Sequence, residues 1–227
     1  MRKINRTYKF RLYPNKVQAD LLARHFGCAR FVYNYFLNQR KEQYRLTGKS
    51  DNYYAQAKTL TVLKKQEATA WLKDVNSQTL QFAIRSLEVA YTNFFQKRAK
   101  FPNFKSKHSK NSFTIPQFAS VAGGRLFIPK FKEGIKFSKS QEVNGELRNM
   151  TVSVTPSGKY YVCIMAQVEI EDLEKTNLSV GIDLGLKDFV ITSDGDRYTS
   201  NKFIKKYSKK LASMQKHLSR KKKGSNS

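Results

Sequence analysis

The chain has 227 residues and 43 Lys and Arg against 17 Asp and Glu, which gives a formal net charge of +26. A charge this large requires a polyanionic partner, either nucleic acid or an anionic membrane. No run approaches the roughly 20 apolar residues of a membrane helix, and no lipidation or secretion signal is visible. The sequence therefore favours nucleic acid, predicts no membrane partner and predicts a cytoplasmic location.

The N-terminal segment predicts a strand followed by a helix. Residues from Ile4 to Tyr13 alternate between polar side chains and Tyr, Phe or Leu, a pattern typical of a β-strand, which Pro14 would end. Asn15 is a good N-cap for a helix over Lys16–Phe26, because its side chain can accept a hydrogen bond from the first turn.

Three further helices are predicted before residue 100. Gly27 is expected to end the first helix, and a second helix is expected over 29–46 with Gly48 as its C-terminal cap. This pair fits a helix-turn-helix description. Apolar residues at helical spacing then predict helices over 52–65 and 76–97.

Beyond Phe101 the pattern predicts short strands joined by turns. The β-type runs are 113–115, 125–128 and 135–137, followed by a hairpin of 150–155 and 159–168. Many short strands with tight turns are typical of a small barrel or sandwich. The N-terminal strand is expected to join this sheet, which would make the helices an insertion between barrel strands.

A polar acidic stretch over 169–177 predicts a linker, after which the pattern changes to strands followed by a basic helix. The apolar run that begins at Leu178 predicts a strand with a carboxylate at Asp183. Gly185 allows a tight turn after it, and Phe189–Thr192 predicts a second strand that runs back beside the first. Because alternate side chains of a strand face opposite ways, Asp183 is expected to face a cleft. The residues expected to be buried on the other face are Val180, Ile182 and Leu184.

This strand–Asp–turn–strand pattern is typical of ribonuclease-H-like folds, which serve two chemistries. In nucleases the Asp joins other carboxylates that bind two divalent ions. In actin-like ATPases a similar Asp-Leu-Gly turn contacts phosphate, and a small hydroxyl residue or glycine usually follows. Here Leu186 and Lys187 follow, so a nuclease is favoured. Asp194 and Asp196 are interpreted as turn residues.

Several motifs together resemble the transposon-encoded TnpB (OrfB) family in their order and spacing. They are Tyr8–Pro14, Gly27–Asn34, Ala90–Phe95, Phe101–Lys105, Leu126–Lys130 and Gly181–Phe189. The resemblance covers essentially the whole chain. It implies a programmable DNA endonuclease related to compact type V CRISPR effectors, in which a guide RNA specifies the target DNA in a prokaryotic cell.

The resemblance also implies a multi-domain α+β fold. A β-barrel wedge domain would begin with 1–14 and continue over 101–173, with a helical recognition insertion over 15–100 and the first strands of a RuvC nuclease domain over 178–227. Asp183 matches the first RuvC carboxylate, which binds Mg²⁺ in the complete enzyme.

Family members continue with further RuvC elements, a catalytic Glu, a C-x-x-C zinc ribbon and a final Asp. None of these is present here, and Cys28 and Cys163 lie too far apart to form such a zinc site. The expectation is therefore an N-terminal half that binds guide RNA and does not cleave DNA alone. A complementary C-terminal polypeptide or a second copy would supply the missing strands. The alternative is a non-catalytic RNA- or DNA-binding regulatory protein derived from TnpB.

The candidate nucleic-acid contacts are basic residues near aromatic or loop positions, where phosphate binding and base stacking can combine. They are Lys9, Arg11, Arg30, Lys105, Lys107, Lys221, Lys222 and Lys223.

Overall fold

The computed structural model describes residues 1–108, 111–174 and 176–222. It divides into two compact units, Met1–Asp172 and Leu173–Ser227, called here the first and second unit. No helix in these described ranges is long and apolar enough to cross a membrane.

The first unit is built on one antiparallel sheet of seven strands. They are β1 Arg2–Tyr13, β2 Asn111–Ile115, β3 Ser120–Ala122, β4 Arg125–Phe127, β5 Ile135–Ser138, β6 Glu146–Val154 and β7 Tyr160–Ile170. Their spatial order is β2-β6-β7-β1-β5-β4-β3. The prediction that the N-terminal strand joins the later strands is confirmed. The predicted barrel is corrected to a half-barrel, because the sheet curls without pairing β2 to β3.

The long pairing of β1 with β7 gives the sheet two chemically different faces. It runs from Arg2 opposite Ile170 to Leu12 opposite Tyr160. The side chains on the helix-facing side of β1 are buried, namely Tyr8, Phe10 and Leu12. Since side chains alternate along a strand, the intervening basic residues of β1 lie on the opposite, outer face.

A single long helix, α1 Lys16–Thr47, follows β1. Its start is the predicted cap: Asn15 accepts a hydrogen bond from the Gln18 backbone at 2.8 Å, and Gln18 accepts one from the Asn15 backbone at 3.1 Å. Its end is also as predicted, with Gly48 in the left-handed region at φ 67°.

The predicted break at Gly27 is wrong, and the two predicted helices are one. A glycine inside a helix costs only about 1 kcal/mol relative to alanine. That cost is offset because one buried stripe continues across Gly27 at helical spacing, with Leu22, Phe26, Ala29, Val32 and Phe36 buried. In the structure the two helices expected for a helix-turn-helix are therefore joined into one.

The two later helices are confirmed as α2 Tyr53–Leu63 and α3 Ser77–Phe95, with an unpredicted 3₁₀ helix over Glu67–Asp74 between them. Helices and sheet share one hydrophobic core. His25 of α1 is fully buried and joins these layers: its Nδ1 donates to the Leu21 carbonyl at 2.8 Å, and its Nε2 accepts from the Asn76 backbone at 3.2 Å.

The second unit has β8 Ile182–Asp183, β9 Asp188–Thr192 and β10 Arg197–Thr199 in one antiparallel sheet, then α4 Phe203–Ser219. The predicted order of strand, turn, strand and basic helix is confirmed. The predicted burial is wrong, because Val180, Ile182 and Leu184 are all exposed. A small sheet buries an apolar face only against a second layer, and no described residue from 176 to 222 is buried.

Candidate nucleic-acid interface

The outer face of the sheet carries two candidate cations beside one aromatic ring. Lys9 Nζ lies 4.7 Å and the Arg11 guanidinium 5.2 Å from the centre of the Tyr161 ring on β7. Arg11 also donates from Nη1 to the Tyr161 hydroxyl at 3.5 Å. Tyr13, at the end of β1, lies 5.7 Å from the same guanidinium and is exposed. Two cations and two aromatic rings are therefore grouped on the outer face of the sheet, an arrangement of the kind that suits phosphate binding and base stacking.

A second group forms where the loop after α3 packs on the helices. Phe101 contacts Tyr91 and Phe94 of α3 edge-on, with ring centres 5.6 and 5.2 Å apart. Pro102 is buried. Lys41 of α1 lies over the half-exposed Phe104 ring at 5.1 Å. The loop is thus held by aromatic contacts at both ends of the Phe-Pro-Asn-Phe sequence.

Lys105, the next residue, is fixed by α1. Asn34 accepts a hydrogen bond from the Lys105 backbone at 2.8 Å and donates one to its carbonyl at 2.9 Å. The Lys105 ammonium lies 4.0 Å from the centre of the Tyr33 ring. Partial burial in this position lowers the pKa of Lys105, because desolvation disfavours the charged form.

Arg30 and Lys107 are linked through Asn111 at the start of β2. Arg30 donates from Nη1 to the Asn111 side chain at 3.0 Å, and Asn111 donates to the Lys107 carbonyl at 2.9 Å. The structure therefore brings Arg30, Lys105 and Lys107 onto one region where α1 meets the 101–108 loop. Sequence spacing did not predict this grouping.

The candidate cations that the structure describes form no ion pair with a described acidic residue. Seven ion pairs occur among the described residues, and they use Arg2, Lys3, Arg24, Arg40, Arg45, Lys139 and Arg148. None of the described candidates takes part in one: Lys9, Arg11, Arg30, Lys105, Lys107, Lys221 and Lys222. Their charge remains available to an external anion.

The tail candidates follow α4. Lys221 and Lys222 are exposed, and the Lys221 backbone donates to the Leu218 carbonyl at 3.1 Å. Lys223 lies outside the described residues.

Asp183 lies at the end of β8, opposite Ile191 of β9, and is exposed. The acidic residues of the next turn are engaged locally, as predicted: Asp194 accepts from the Ser193 hydroxyl at 3.3 Å, and the Asp196 backbone donates to the Thr192 hydroxyl at 3.1 Å. Within the described ranges, no three His, Cys, Asp or Glu side chains are grouped as a metal site would need.

The two cysteines differ in setting. Cys28 is buried on α1, and burial raises the pKa of its thiol to about 11. Cys163 is only half-buried, because it lies on the outer face of β7 opposite Lys9.

Sequence reasoning missed the partners that position the candidates. Asn34 and Tyr33 end the Gly27–Asn34 motif and hold Lys105, while Tyr161 supports Lys9 and Arg11. The motif itself was the available signal, since Asn34 is its last residue.

Two family models match the chain: a helix-turn-helix domain of the OrfB/IS605 type over residues 1–49, and an OrfB/IS605 domain described as "Probable transposase" over 160–227. A Streptomyces pristinaespiralis protein with the provisional name RNA-guided DNA endonuclease is 35% identical over 99% of this chain and 57% of its own length. InsQ of Escherichia coli K12, with the same provisional name, is 36% identical over 96% of this chain and 55% of its own length.

Two further similarities are shorter or weaker. The virulence protein VsdF of Salmonella dublin is 39% identical over 46% of this chain and 96% of its own length. A chain of a solved CRISPR-Cas12f ternary complex aligns at a TM-score of 0.43 and 11% identity, covering 93% of this chain and 54% of that chain. That TM-score is below the level that shows a shared fold.

These matches define a transposon-associated protein related to RNA-guided DNA endonucleases. The chain belongs to the TnpB (OrfB) family, which confirms the resemblance. It spans about half the length of the two curated endonuclease relatives, at 57% and 55%.

Proposed function

We propose that this chain is the nucleic-acid-binding part of an RNA-guided DNA endonuclease, acting in the cytoplasm of a prokaryotic cell with guide RNA and target DNA as its partners. The observation that carries the proposal is that the described candidate cations have no acidic partner among the described residues, and several of them lie over aromatic rings. Unneutralised charge binds phosphate, and rings beside it offer stacking faces. The provisional names of the relatives supply the guide-RNA and target-DNA assignment.

RNA is the better first partner for these surfaces. Proteins recognise RNA mainly where bases are unpaired and free to stack on aromatic side chains. The sheet offers Tyr13 and Tyr161 beside Arg11, and the loop after α3 offers the half-exposed Phe104 beside Lys41. Duplex DNA keeps its bases stacked inside the helix, so these rings would contribute less to its binding.

The described residues do not fit a two-metal nuclease site. Two divalent ions need several convergent carboxylates, whereas Asp183 is a single exposed carboxylate without a described cluster around it. In our proposal these 227 residues alone do not cleave DNA. The role of Asp183 as first RuvC carboxylate would require further carboxylates from outside the described residues.

A purified sample incubated with Mg²⁺ and a DNA substrate tests this point. We expect no cleavage by the chain and none by Asp183→Ala. Cleavage by the chain that Asp183→Ala abolishes would overturn the proposal, because the single carboxylate would then have sufficient partners.

The second unit carries the features of a surface that another polypeptide covers. α4 exposes its apolar residues along one stripe, including Ile204, Leu211 and Leu218, at the spacing of one helix face. An exposed apolar stripe of this kind indicates association with another protein surface. We therefore propose a complementary C-terminal polypeptide or a second copy as the partner. Light scattering across a concentration series separates the two partners. A dimer mass would indicate a second copy, whereas a monomer mass would indicate that the partner is a different polypeptide.

The alternative function, a non-catalytic RNA- or DNA-binding regulator, is favoured by the same lack of a described metal cluster. Sequencing the RNA that co-purifies with the chain from cells tests the guide-RNA assignment. One dominant structured RNA from the region beside the gene is the expected result. An unselected mixture of cellular RNA would contradict a guide role and leave only general RNA binding.

A further inference from the structure

A cavity of about 430 Å³ opens between α1, α3 and the loop that follows α3. Tyr44 of α1, Tyr91 and Phe95 of α3, and Phe101 of the loop provide aromatic walls. Its volume lies within the roughly 300–1,000 Å³ of small-molecule sites. None of the nucleic-acid candidates from the sequence lines it. We call it the aromatic cavity.

The rings of the aromatic cavity form an ordered network with open faces. Tyr91 and Phe95 stack with centres 6.2 Å apart and planes at 27°, while Phe101 meets Tyr91 edge-on at 5.6 Å. Tyr91 is buried, but Phe95 is 73% exposed and Tyr44 is 64% exposed. Large exposed rings grouped around one cavity are typical of a binding site rather than of a core.

Cations complete the lining. Arg40 is buried, forms an ion pair with Glu88 and lies 4.9 Å from the centre of the Tyr91 ring. Its Nε is buried and has no hydrogen-bond partner within the described ranges. Lys41, the next residue, is exposed and also lines the cavity. A guanidinium fixed beside an aromatic wall can donate hydrogen bonds to the acceptor atoms of a base.

The end of α3 adds basic residues at a strained position. Lys97 adopts a left-handed backbone with φ 58°, and the helix closes through hydrogen bonds from Lys97 to the Phe94 carbonyl and from Arg98 to the Asn93 carbonyl. Glycine is favoured at this position of the motif. Lys97 follows two residues after Phe95, which lines the cavity, and a lysine kept in a strained conformation there points to a binding role.

We propose that the aromatic cavity binds one unpaired nucleobase of RNA, with exposed cations of α1 and of the end of α3 contacting the adjoining phosphates. The proposal deepens the proposed function and rests on it. RNA is specified because its loops and bulges present single unstacked bases. Aromatic stacking holds any base by its face, and Arg40 discriminates by its donors.

The test uses the full chain and a pair of RNA hairpins that differ only in one bulged adenine, carried as a fluorescent adenine analogue. Phe95→Ala removes an exposed ring without opening the core, since Phe95 is 73% exposed. Tyr54→Ala is the matched control, because Tyr54 is an equally exposed ring (74%) outside the cavity lining. Phe95→Trp keeps a stacking face.

The chain is expected to bind the bulged hairpin more tightly and to quench its fluorescence. Phe95→Ala should weaken that binding roughly tenfold, while Tyr54→Ala and Phe95→Trp should retain it. Equal binding to both hairpins, with no effect of Phe95→Ala, would overturn the cavity proposal and leave the proposed function intact. No binding to either hairpin would overturn both. If Phe95→Ala weakened the binding of single-stranded DNA as much as the binding of RNA, the assignment to RNA would be contradicted.

Discussion

Asn34 of α1 holds the backbone of Lys105 on both sides, accepting a hydrogen bond from its N–H at 2.8 Å and donating one to its carbonyl at 2.9 Å. The two residues are 71 positions apart in the chain. This clamp joins two of the motifs that identify the family, Gly27–Asn34 and Phe101–Lys105. It places the Lys105 ammonium over Tyr33 rather than leaving it on a free loop.

Asn34→Ala removes both hydrogen bonds while leaving α1 intact. We expect a loss of about 1 kcal/mol in the free energy of unfolding, because the bonds are solvent-exposed. RNA affinity should fall as well, since Lys105 loses its fixed position. Urea denaturation and RNA titration measure the two effects. Asn38→Ala, one turn further along α1 and exposed, is the matched control, and an equal effect there would refute the clamp.

The buried imidazole of His25 should make stability depend on pH. Burial lowers the pKa of His25 below its ordinary value of 6.5, so the unfolded chain takes up a proton more readily than the folded one. The contribution of neutral, buried His25 to the free energy of unfolding is complete above pH 6.5, and it is lost as pH falls through the folded-state pKa. Thermal unfolding measured at pH values from 8 to 5 should show this loss of stability.

His25→Leu should flatten that dependence and cost about 1–3 kcal/mol, because the buried Asn76 N–H loses its acceptor. His217→Gln, at an exposed position, should behave as the original chain does. An unchanged pH profile in His25→Leu would show that another group controls acid stability.

Lys9 and Arg11 should contact phosphate, whereas Lys3 on the same face of β1 should not. Lys3 is paired with Glu169 at 3.5 Å, while Lys9 and Arg11 face Tyr161 and have no acidic partner in the part of the chain that the structure describes. Lys9→Ala and Arg11→Ala should each lower the slope of log K against log salt for RNA by about 0.7. Lys3→Ala should leave the slope unchanged. Equal slopes for all three variants would contradict a phosphate-binding sheet face.

Lys97→Gly tests whether strain at the end of α3 serves binding. Glycine adopts the left-handed conformation without the penalty of roughly 1–2 kcal/mol that an L side chain meets, although it gains entropy in the unfolded state. We expect a net stabilisation of about 0.5–1 kcal/mol together with weaker RNA binding. Gln96→Gly, at the preceding position with φ −79°, should not stabilise the chain. Stabilisation of Lys97→Gly without loss of affinity would indicate that the lysine has no binding role.

The sequence predicted local structure well where a local cause dominates. Asn15 and Gly48 cap α1 as expected, and the hairpin of β6 and β7 follows from its turn residues. The break at Gly27 failed because burial of one continuous helix stripe outweighs the local preference of a glycine. A local sequence pattern alone does not show whether the free energy of burying the stripe exceeds the cost of a glycine within the helix.

The candidate site was predictable by residue type but not by arrangement. Charge and neighbouring aromatics selected Lys9, Arg11 and Lys105, and the structure leaves each without an acidic partner among the described residues. Their partners Tyr161 and Asn34 come from distant parts of the chain. Only the pairing of β1 with β7 and the packing of the loop on α1 bring them together.

The central claim is that this chain carries a surface for RNA and not merely a positive charge. Its most direct test is the affinity of the purified chain for a structured RNA and for a DNA duplex of matched length, measured across a salt series. We predict tight binding with a preference for RNA that persists at physiological salt, because stacking on aromatic rings is less sensitive to salt than phosphate contact. Equal and steeply salt-dependent binding to both would contradict the claim, since a basic surface alone would then account for all of the affinity.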